Sequence, residues 1–444
     1  MNSSRPKVVH ELAGRSMINH VIQTAEQLLP SRMVVVVGYQ GDAVAAQLPS
    51  SVITVNQAEQ NGTGHAVSVG LKGLHQAGSE TAGFVLVLYG DVPLVNLTTL
   101  QQAVASARQG HVGLVTADFK DPAQLGRIVR NGDGQIQRIV EYKDADDETR
   151  AITEINSGIM ALPTERLAGW LDKVTPANNQ GEYYLTDVIE MAVREGIIVD
   201  GILAANTAEV MGVNDRAQLA ELERIYQYQQ AQRLMAAGVT IADPARVDIR
   251  GDVEAGPDTF IDINVVLSGT VRLGSGVRIG PGAVIEDADI GDNSTVNAHT
   301  VVEGAQLKSS VSVGPFARIR PGSVLEDGVK VGNFVETKKA HLGKDSKASH
   351  LAYLGDATIG ADCNIGAGAI TCNYDGIAKH KTQIGDGVFV GTNATMVAPL
   401  EIGDGGFVAA GSTVTTQVEP GDLAVGRAKQ RNIKGWVRPD QRKS

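Results

Sequence analysis

A histidine and three cations stand close together in the second half of the chain. His350 lies in Lys347-Ala348-Ser349-His350, two residues past a position expected to point inward, so its side chain is expected to face solvent. A neutral imidazole near pH 7 is suited to general-base work, and a solvated surface histidine is the other reading. Arg320, Lys338 and Lys339 precede it. An arginine receives phosphate as a fork and a lysine as a point charge; singly, each also reads as a solvated charge. In the first half, Tyr89-Gly90-Asp91-Val92-Pro93 puts an aspartate just past the carboxyl end of an expected strand, the edge at which open α/β sheets bind ligands. Its carboxylate can hold magnesium, or can cap the following turn. The stretch from Gln57 through Gly62, Thr63 and Gly64 to Ala66 is a glycine-containing turn before a helix, able to bring backbone close to a base or phosphate. The two cysteines, Cys363 and Cys372, form no repeated Cys-x-x-Cys, and the nine histidines show no ligand spacing, so no zinc site is expected.

Two different grammars must position these residues. Up to about residue 215 the pattern is that of an α/β domain with a parallel or mixed sheet: an amphipathic stretch over 16–29, strands at 33–37, 84–89 and 112–116, and a helix near 43–47. A glycine-free run over 217–237, with Leu219, Leu222, Ile225, Tyr226, Ala231 and Leu234 at helical spacing and Gly238 at its end, predicts a connecting helix. Beyond residue 250 apolar residues recur every six positions. Ile384, Val390, Met396, Ile402, Val408 and Val414 keep the step unbroken. So do Leu273, Ile279, Ile285, and Ile290, Val296, Val302. Val313, Ile319, Leu325, Val331 and Leu342, Ala348, Leu354 repeat it. This is the period of a hexapeptide parallel β-helix, a triangular prism of short strands whose inward residues stack coil on coil. From Ile365 to Ile384 the gap is 19, one more than three hexapeptides need, so a loop containing Asn373 and Tyr374 is expected to leave the prism there. The expected organisation is an α/β domain over 1–216, a linker helix over 217–238 and a repeat domain over 239–444.

Composition narrows the partners. The chain has 444 residues, 39 Lys+Arg against 50 Asp+Glu and a net charge of −11, which opposes nucleic acid and anionic membranes as partners. Its longest apolar runs fall far short of the ~18–20 residues that cross a bilayer, so no membrane insertion is expected. The opening residues carry no apolar leader, and with so few cysteines a reducing cytoplasm is the expected location. Fifty-one glycines and 4% aromatic residues suit a narrow prism that has no room for large rings.

Several motifs together resemble a family: the bacterial bifunctional N-acetylglucosamine-1-phosphate uridylyltransferases and glucosamine-1-phosphate N-acetyltransferases. They run from Pro6-Lys7-Val8-Val9-His10 through Gly181-Glu182-Tyr183-Tyr184-Leu185-Thr186-Asp187 to Gly426-Arg427. The most specific are Gly314-Pro315-Phe316-Ala317-Arg318-Ile319-Arg320-Pro321-Gly322, Gly332-Asn333-Phe334-Val335-Glu336-Thr337-Lys338-Lys339 and Ile370-Thr371-Cys372-Asn373-Tyr374-Asp375-Gly376. The resemblance implies a Rossmann-like α/β nucleotidyltransferase domain followed by a left-handed parallel β-helix that trimerises. It implies acetyl transfer from acetyl-CoA to glucosamine 1-phosphate, then magnesium-dependent uridylyl transfer from UTP, supplying UDP-N-acetylglucosamine for peptidoglycan and other envelope polymers. His350 becomes the base that takes the amine proton. Arg320 and Lys338 would hold the sugar phosphate and Tyr353 and Asn364 the sugar. Asn373 and Tyr374 would lie beside the acyl group. Ala367, Thr392, Ala410 and Arg427 would line the coenzyme A site, Thr392 standing where the family commonly has serine. In the other half, Asp91 and Asn214 would bind magnesium and Lys7 the UTP phosphates. Gln57, Gly62 and Thr63 would read the uracil, Tyr89 and Gly90 would flank the metal, and Gly126, Glu141 and Asn156 would contact the amino sugar.

The family pattern opens on a strand and a glycine-rich loop, Leu-Ala-Ala-Gly-x-Gly-Thr-Arg, and Met1 aligns with the methionine after that loop. The expectation is a sheet short of one central strand and a nucleotide site short of one backbone cradle, with an upstream translation start favoured as the reason. Two alternatives follow: acetyl transfer alone, or a non-catalytic oligomerising or regulatory module.

Overall fold

The computed structural model describes residues 1–78 and 83–441. By contacts the chain divides into two compact units, Met1–Tyr226 and Gln227–Ser444. The division falls inside the helix Arg216–Ala236, which therefore gives its first half to one unit and its second to the other.

In the first unit, apolar stretches form strands because their branched side chains fit a pleated, covered surface. A mixed sheet takes the order Val199–Leu203, Val112–Asp118, Glu154–Pro163, Arg127–Arg130, Ile136–Val140, with Phe84–Val87 also pairing with Glu154–Pro163. Only the pair Val199–Leu203 and Val112–Asp118 is parallel in it. Val34–Val37 pairs with Ile53–Asn56 in a separate parallel sheet of two strands, and among the described residues no ladder joins this pair to the larger sheet. The helix Thr63–Gln76 packs on the two-stranded sheet and also sends Leu71 into the larger core with Val112, Leu114 and Met160. Asn96 caps the helix Leu97–Arg108 by accepting the Thr98 amide at 2.8 Å, which fixes where the chain turns after Asp91. The strand expected over 84–89 ends at Val87, so Tyr89, Gly90 and Asp91 lie in the loop beyond it.

The second unit is a left-handed parallel β-helix. Its strands lie in an 11-stranded sheet on one face and a 16-stranded sheet that folds over the other two through the long strands Val265–Leu273 and Val284–Ile290. A residue pairs with the one 17 or 18 positions on: Val284 with Val301, Val301 with Arg318, Arg318 with Glu336. Three hexapeptides therefore make one coil. The in-phase residues are buried, among them Ile279, Ile285, Ile319, Leu325 and Leu354 at 0% exposure. Burying each such side chain contributes roughly 1.5–3 kcal/mol relative to leaving it in water. The prism core contains no aromatic ring among its buried residues. The rings stand outside instead: His299, Phe316 and Phe334 stack up one corner, and Phe389 and Phe407 stack on a face.

The phase break undercounts the excursion. Across it Ile370 pairs with Thr395, a step of 25 against the 17 or 18 of the coils quoted above. The surplus is about one hexapeptide plus one residue, and a whole hexapeptide leaves the apolar phase unchanged, so the sequence displays only the remainder. At its other end the prism is closed by the helix, whose Ala231 and Leu234 join the core. Gln227 completes the closure: its amide donates to the Ile249 carbonyl at 2.9 Å and accepts the Ile249 amide at 2.6 Å, doing for one residue what a neighbouring strand does for a whole edge.

Candidate functional site

Strand register explains why scattered residues of the prism meet. Ala348 pairs with Ile365, Ile365 with Val390, and Val390 with Val408. Two positions further along each of these strands come His350, Ala367, Thr392 and Ala410, one coil apart in a single column. Ala367 and Ala410 carry only methyl side chains, so the column is lined by small groups above the imidazole. Asn333 lies below it, paired in register with His350. His350 is exposed, and its Nδ1 stands 2.8 Å from Asn333 Oδ1.

A second column carries charge. Arg320 bonds its backbone amide to the Thr337 carbonyl, which sets it below Lys338, and Lys338 pairs with Gly355. Arg320 donates to Glu336 at 2.7 Å. The Lys338 amine faces the Lys379 amine, and this like-charged neighbour, more than any other cause, lowers its pKa, with Arg320 adding to the effect. Two ammonium groups and a guanidinium brought together form a receptor for a dianion. Gly355 lets two side chains close over it: a Cβ there would lie 2.5 Å from the Tyr353 hydroxyl and 2.8 Å from Asn373 Nδ2, which would have to shift. Asn364, in register with Lys347, lies on the neighbouring face. Lys339, by contrast, sits at a corner turn with φ of 46°, over Gly322.

The excursion is held by its own acid. Asp375 accepts the amides of Ile377 and Ala378 at 2.8 and 2.7 Å and meets His380 Nε2 at 2.7 Å. These donors, the Ala378 amide first, hold its carboxyl well below the usual range. The loop then presents Tyr374 outward at 60% exposure, while Asn373 is buried and donates to Asp356 at 2.5 Å. Arg427 is exposed just after the last strand, Leu423–Ala424.

In the α/β unit the residues meet at loops beyond strand ends. Lys7 Nζ lies 2.5 Å from Asp91 Oδ2 and 2.9 Å from Asn214 Oδ1, joining positions far apart in the chain. The Val213 amide donates to the Asp91 carbonyl at 2.9 Å, which fastens the Asn214 loop to this point. Asp91 and Asn214 thus offer two hard oxygens to a single cationic group. Magnesium takes one or two protein oxygens and keeps several waters, so these donors fit it.

Gln57 donates to the Gly62 carbonyl at 3.3 Å and meets His65 Nδ1 at 3.1 Å. Gly62 has φ of 107°, and a Cβ there would lie 2.7 Å from the Tyr183 carbonyl oxygen. Thr63 Oγ1 accepts the Leu185 amide at 3.1 Å. Tyr89 is pushed up to about 12, chiefly by burial, with Glu141 and Asp91 contributing. Glu141 is itself raised by burial and accepts the Thr186 hydroxyl at 3.2 Å. Its Oε2 lies 3.2 Å from where a Gly126 Cβ would stand, and the Asn156 amide donates to the Gly126 carbonyl at 2.9 Å. Gly90 packs under Ile18, where a Cβ would come within 2.7 Å.

Sequence reading missed four participants. Glu336 and Asn333 lie in a motif quoted above without an assigned role, Lys379 lies three residues past the quoted Ile370–Gly376 motif, and Thr186 lies in the Tyr183-Tyr184-Leu185-Thr186 stretch that closes over the Gly62 turn. Lys379 was legible in principle, as a cation in the excursion opposite the expected phosphate site.

A nucleotide-handling α/β unit followed by a hexapeptide prism defines a class: a nucleotidyltransferase joined to an acyltransferase. Residues 1–239 match the MobA-like NTP transferase domain. Residues 256–287 match the bacterial transferase hexapeptide of six repeats, and 357–378 with 381–416 match the hexapeptide repeat of succinyl-transferase. The chain is 50% identical over 440 residues to the bifunctional protein GlmU of Marinobacter nauticus, covering 99% of this chain and 96% of that one. It is 52% identical over 444 residues to that of Pseudomonas putida, covering 100% and 96%. A nucleoside-diphosphate-sugar pyrophosphorylase structure from Vibrio cholerae shares 14% identity over 50% of this chain and 93% of its own, at a TM-score of 0.39, too slight a likeness to argue from. The chain belongs to the GlmU family. It is a bifunctional transferase of UDP-N-acetylglucosamine synthesis, with glucosamine-1-phosphate N-acetyltransferase and N-acetylglucosamine-1-phosphate uridylyltransferase activities. Relatives named as bifunctional favour neither acetyl transfer alone nor a non-catalytic module.

Proposed function

We propose the following division of labour for the two reactions. In the prism, Arg320, Lys338 and Lys379 receive the phosphate of glucosamine 1-phosphate, and Tyr353 and Asn364 hold the sugar. Acetyl-CoA lies along the Ala367, Thr392 and Ala410 column with Arg427 at its phosphate end, and Asn373 and Tyr374 flank the acyl group. His350 takes a proton from the substrate amine, which attacks the thioester carbonyl; the C–S bond breaks and coenzyme A leaves. The observation that carries this reading is the column that runs through His350 beside the crowded amines of Lys338 and Lys379.

In the α/β unit, Gln57, Gly62 and Thr63 hold the uracil, and Gly126, Glu141 and Asn156 hold the amino sugar, with Tyr89 and Gly90 behind the reacting phosphates. Lys7, released from Asp91 and Asn214, turns to the UTP phosphates. A magnesium ion between Asp91 and Asn214 would neutralise charge on the phosphates. A phosphate oxygen of N-acetylglucosamine 1-phosphate attacks the α-phosphorus of UTP, and pyrophosphate leaves.

The assembly is a homotrimer, a reading supported by a prism with repeated flat faces and by Phe316, Phe334 and Leu351, each more than half exposed along one corner. The chain works in the cytoplasm. No helix among the described residues is long and apolar enough to cross a membrane. The test is a pair of assays on one preparation. EDTA should abolish pyrophosphate release from UTP and leave coenzyme A release from acetyl-CoA intact. Loss of both would refute the placing of magnesium in one unit alone. Sedimentation should return three times the chain mass.

A further inference from the structure

We propose that Asn333 is a positioning residue for acetyl transfer: its side-chain oxygen accepts the Nδ1 proton of His350 and so leaves Nε2 unprotonated and aimed at the substrate amine. The inference rests on the reading of His350 as the base and adds what fixes its tautomer. An imidazole works as a base only through its bare nitrogen, and which nitrogen is bare is set by the partner of the other. In the prism that partner is Asn333 Oδ1 at 2.8 Å. Asn333 is directly in register with His350 on the adjacent strand, so the contact is built from ladder geometry and not from a mobile loop.

The close fit of the two strands supports this. Between Lys330–Asn333 and Lys347–His350 the ladder pairs Lys330 with Lys347, Val331 with Ala348 and Asn333 with His350, omitting Gly332. A Cβ on Gly332 would lie 1.8 Å from the Ser349 carbonyl oxygen. Only a residue without a side chain lets the two strands close just before the asparagine meets the imidazole. The amide is also chemically apt. It orients an imidazole without adding charge, whereas a carboxylate would stabilise the imidazolium and so raise the pH needed to free the base. The charged groups on the strands flanking His350 are Lys330 and Lys347 on its own face; the neighbour Asn364–Ile365 has none, and past the corner come Glu336 and Lys338.

The experiment measures coenzyme A release by the full chain carrying Asn333→Ala, Asn333→Asp, His350→Ala, or the Ala/Ala pair. Asn333→Ala should lower kcat about 10-fold or more, the scale of a misdirected general base, with KM for both substrates within about 2-fold. Asn333→Asp, which still accepts from Nδ1, should recover most of kcat and move the acidic limb of its pH profile upward. The double variant should be no slower than His350→Ala, because the asparagine acts only through the histidine. Normal kcat in Asn333→Ala beside an inactive His350→Ala would overturn the positioning role and leave the base in place. Near-normal turnover in His350→Ala would overturn the base itself. An Asn333→Asp enzyme as slow as Asn333→Ala, with an unmoved pH profile, would mean that the asparagine merely supports the strand.

Discussion

The two units bring distant polar residues together by opposite means. The α/β unit brings Lys7, Asp91 and Asn214 together from loops at remote points of the chain, so each depends on a whole domain folding correctly. The prism brings Asn333, His350, Ala367, Thr392 and Ala410 together by repeating one coil. A repeat converts distance along the sequence into height along an axis. Changes that keep the coil length are therefore local, whereas in the α/β unit a single loop fastens several functional residues.

The largest effect should come from removing one chemical group in each unit. His350→Ala should reduce acetyl transfer roughly 10²-fold or more and leave pyrophosphate release unchanged. Asp91→Ala should do the reverse, by a comparable factor. A fall in both activities in either variant would break the picture of two independent solutions.

Next is a test of the stack. Leu354 is fully buried in the prism core, and Leu354→Ala should cost roughly 2–5 kcal/mol, seen as a lower denaturation midpoint for acetyl transfer with uridylyl transfer retained.

A smaller change sharpens the anion site. Lys379→Ala should raise KM for glucosamine 1-phosphate about 5–10-fold with kcat little altered, as loss of one charge-assisted contact. Because Lys379 is the main cause of the lowered Lys338 pKa, that pKa should return upward in the variant.

The smallest lies in the other unit. Burial raises the Glu141 pKa, so the folded state resists its ionisation; the carboxyl is no burden below the ordinary carboxylate range and becomes one as pH rises through the raised value. Glu141→Gln should therefore melt slightly above the parent at pH 8, and the gain should vanish at pH 4.

The sequence discloses the two units unequally for the same physical reason. Period six is visible because Ile319, Leu325 and Val331 each must fill the same narrow interior. Once the prism is known, register follows, and with it the His350 column. The excursion was located yet undersized, since a loop that is a near-multiple of the repeat leaves little trace in the phase. In the α/β unit no period links Lys7 to Asn214, and only motif resemblance paired them. Thr186 and Asn333 escaped because neither residue type announces a role; each matters through the group it touches.

The closure of the prism by Gln227, Ala231 and Leu234 bears on how the units can be separated. A parallel stack ends in unpaired amides and carbonyls, and such an edge invites a second stack to continue it. A fragment cut immediately after the helix would present that bare end and grow into end-to-end fibres. One beginning within the helix, before Gln227, should stay dispersed. The segment that joins the two units thus also covers the exposed end of the stack.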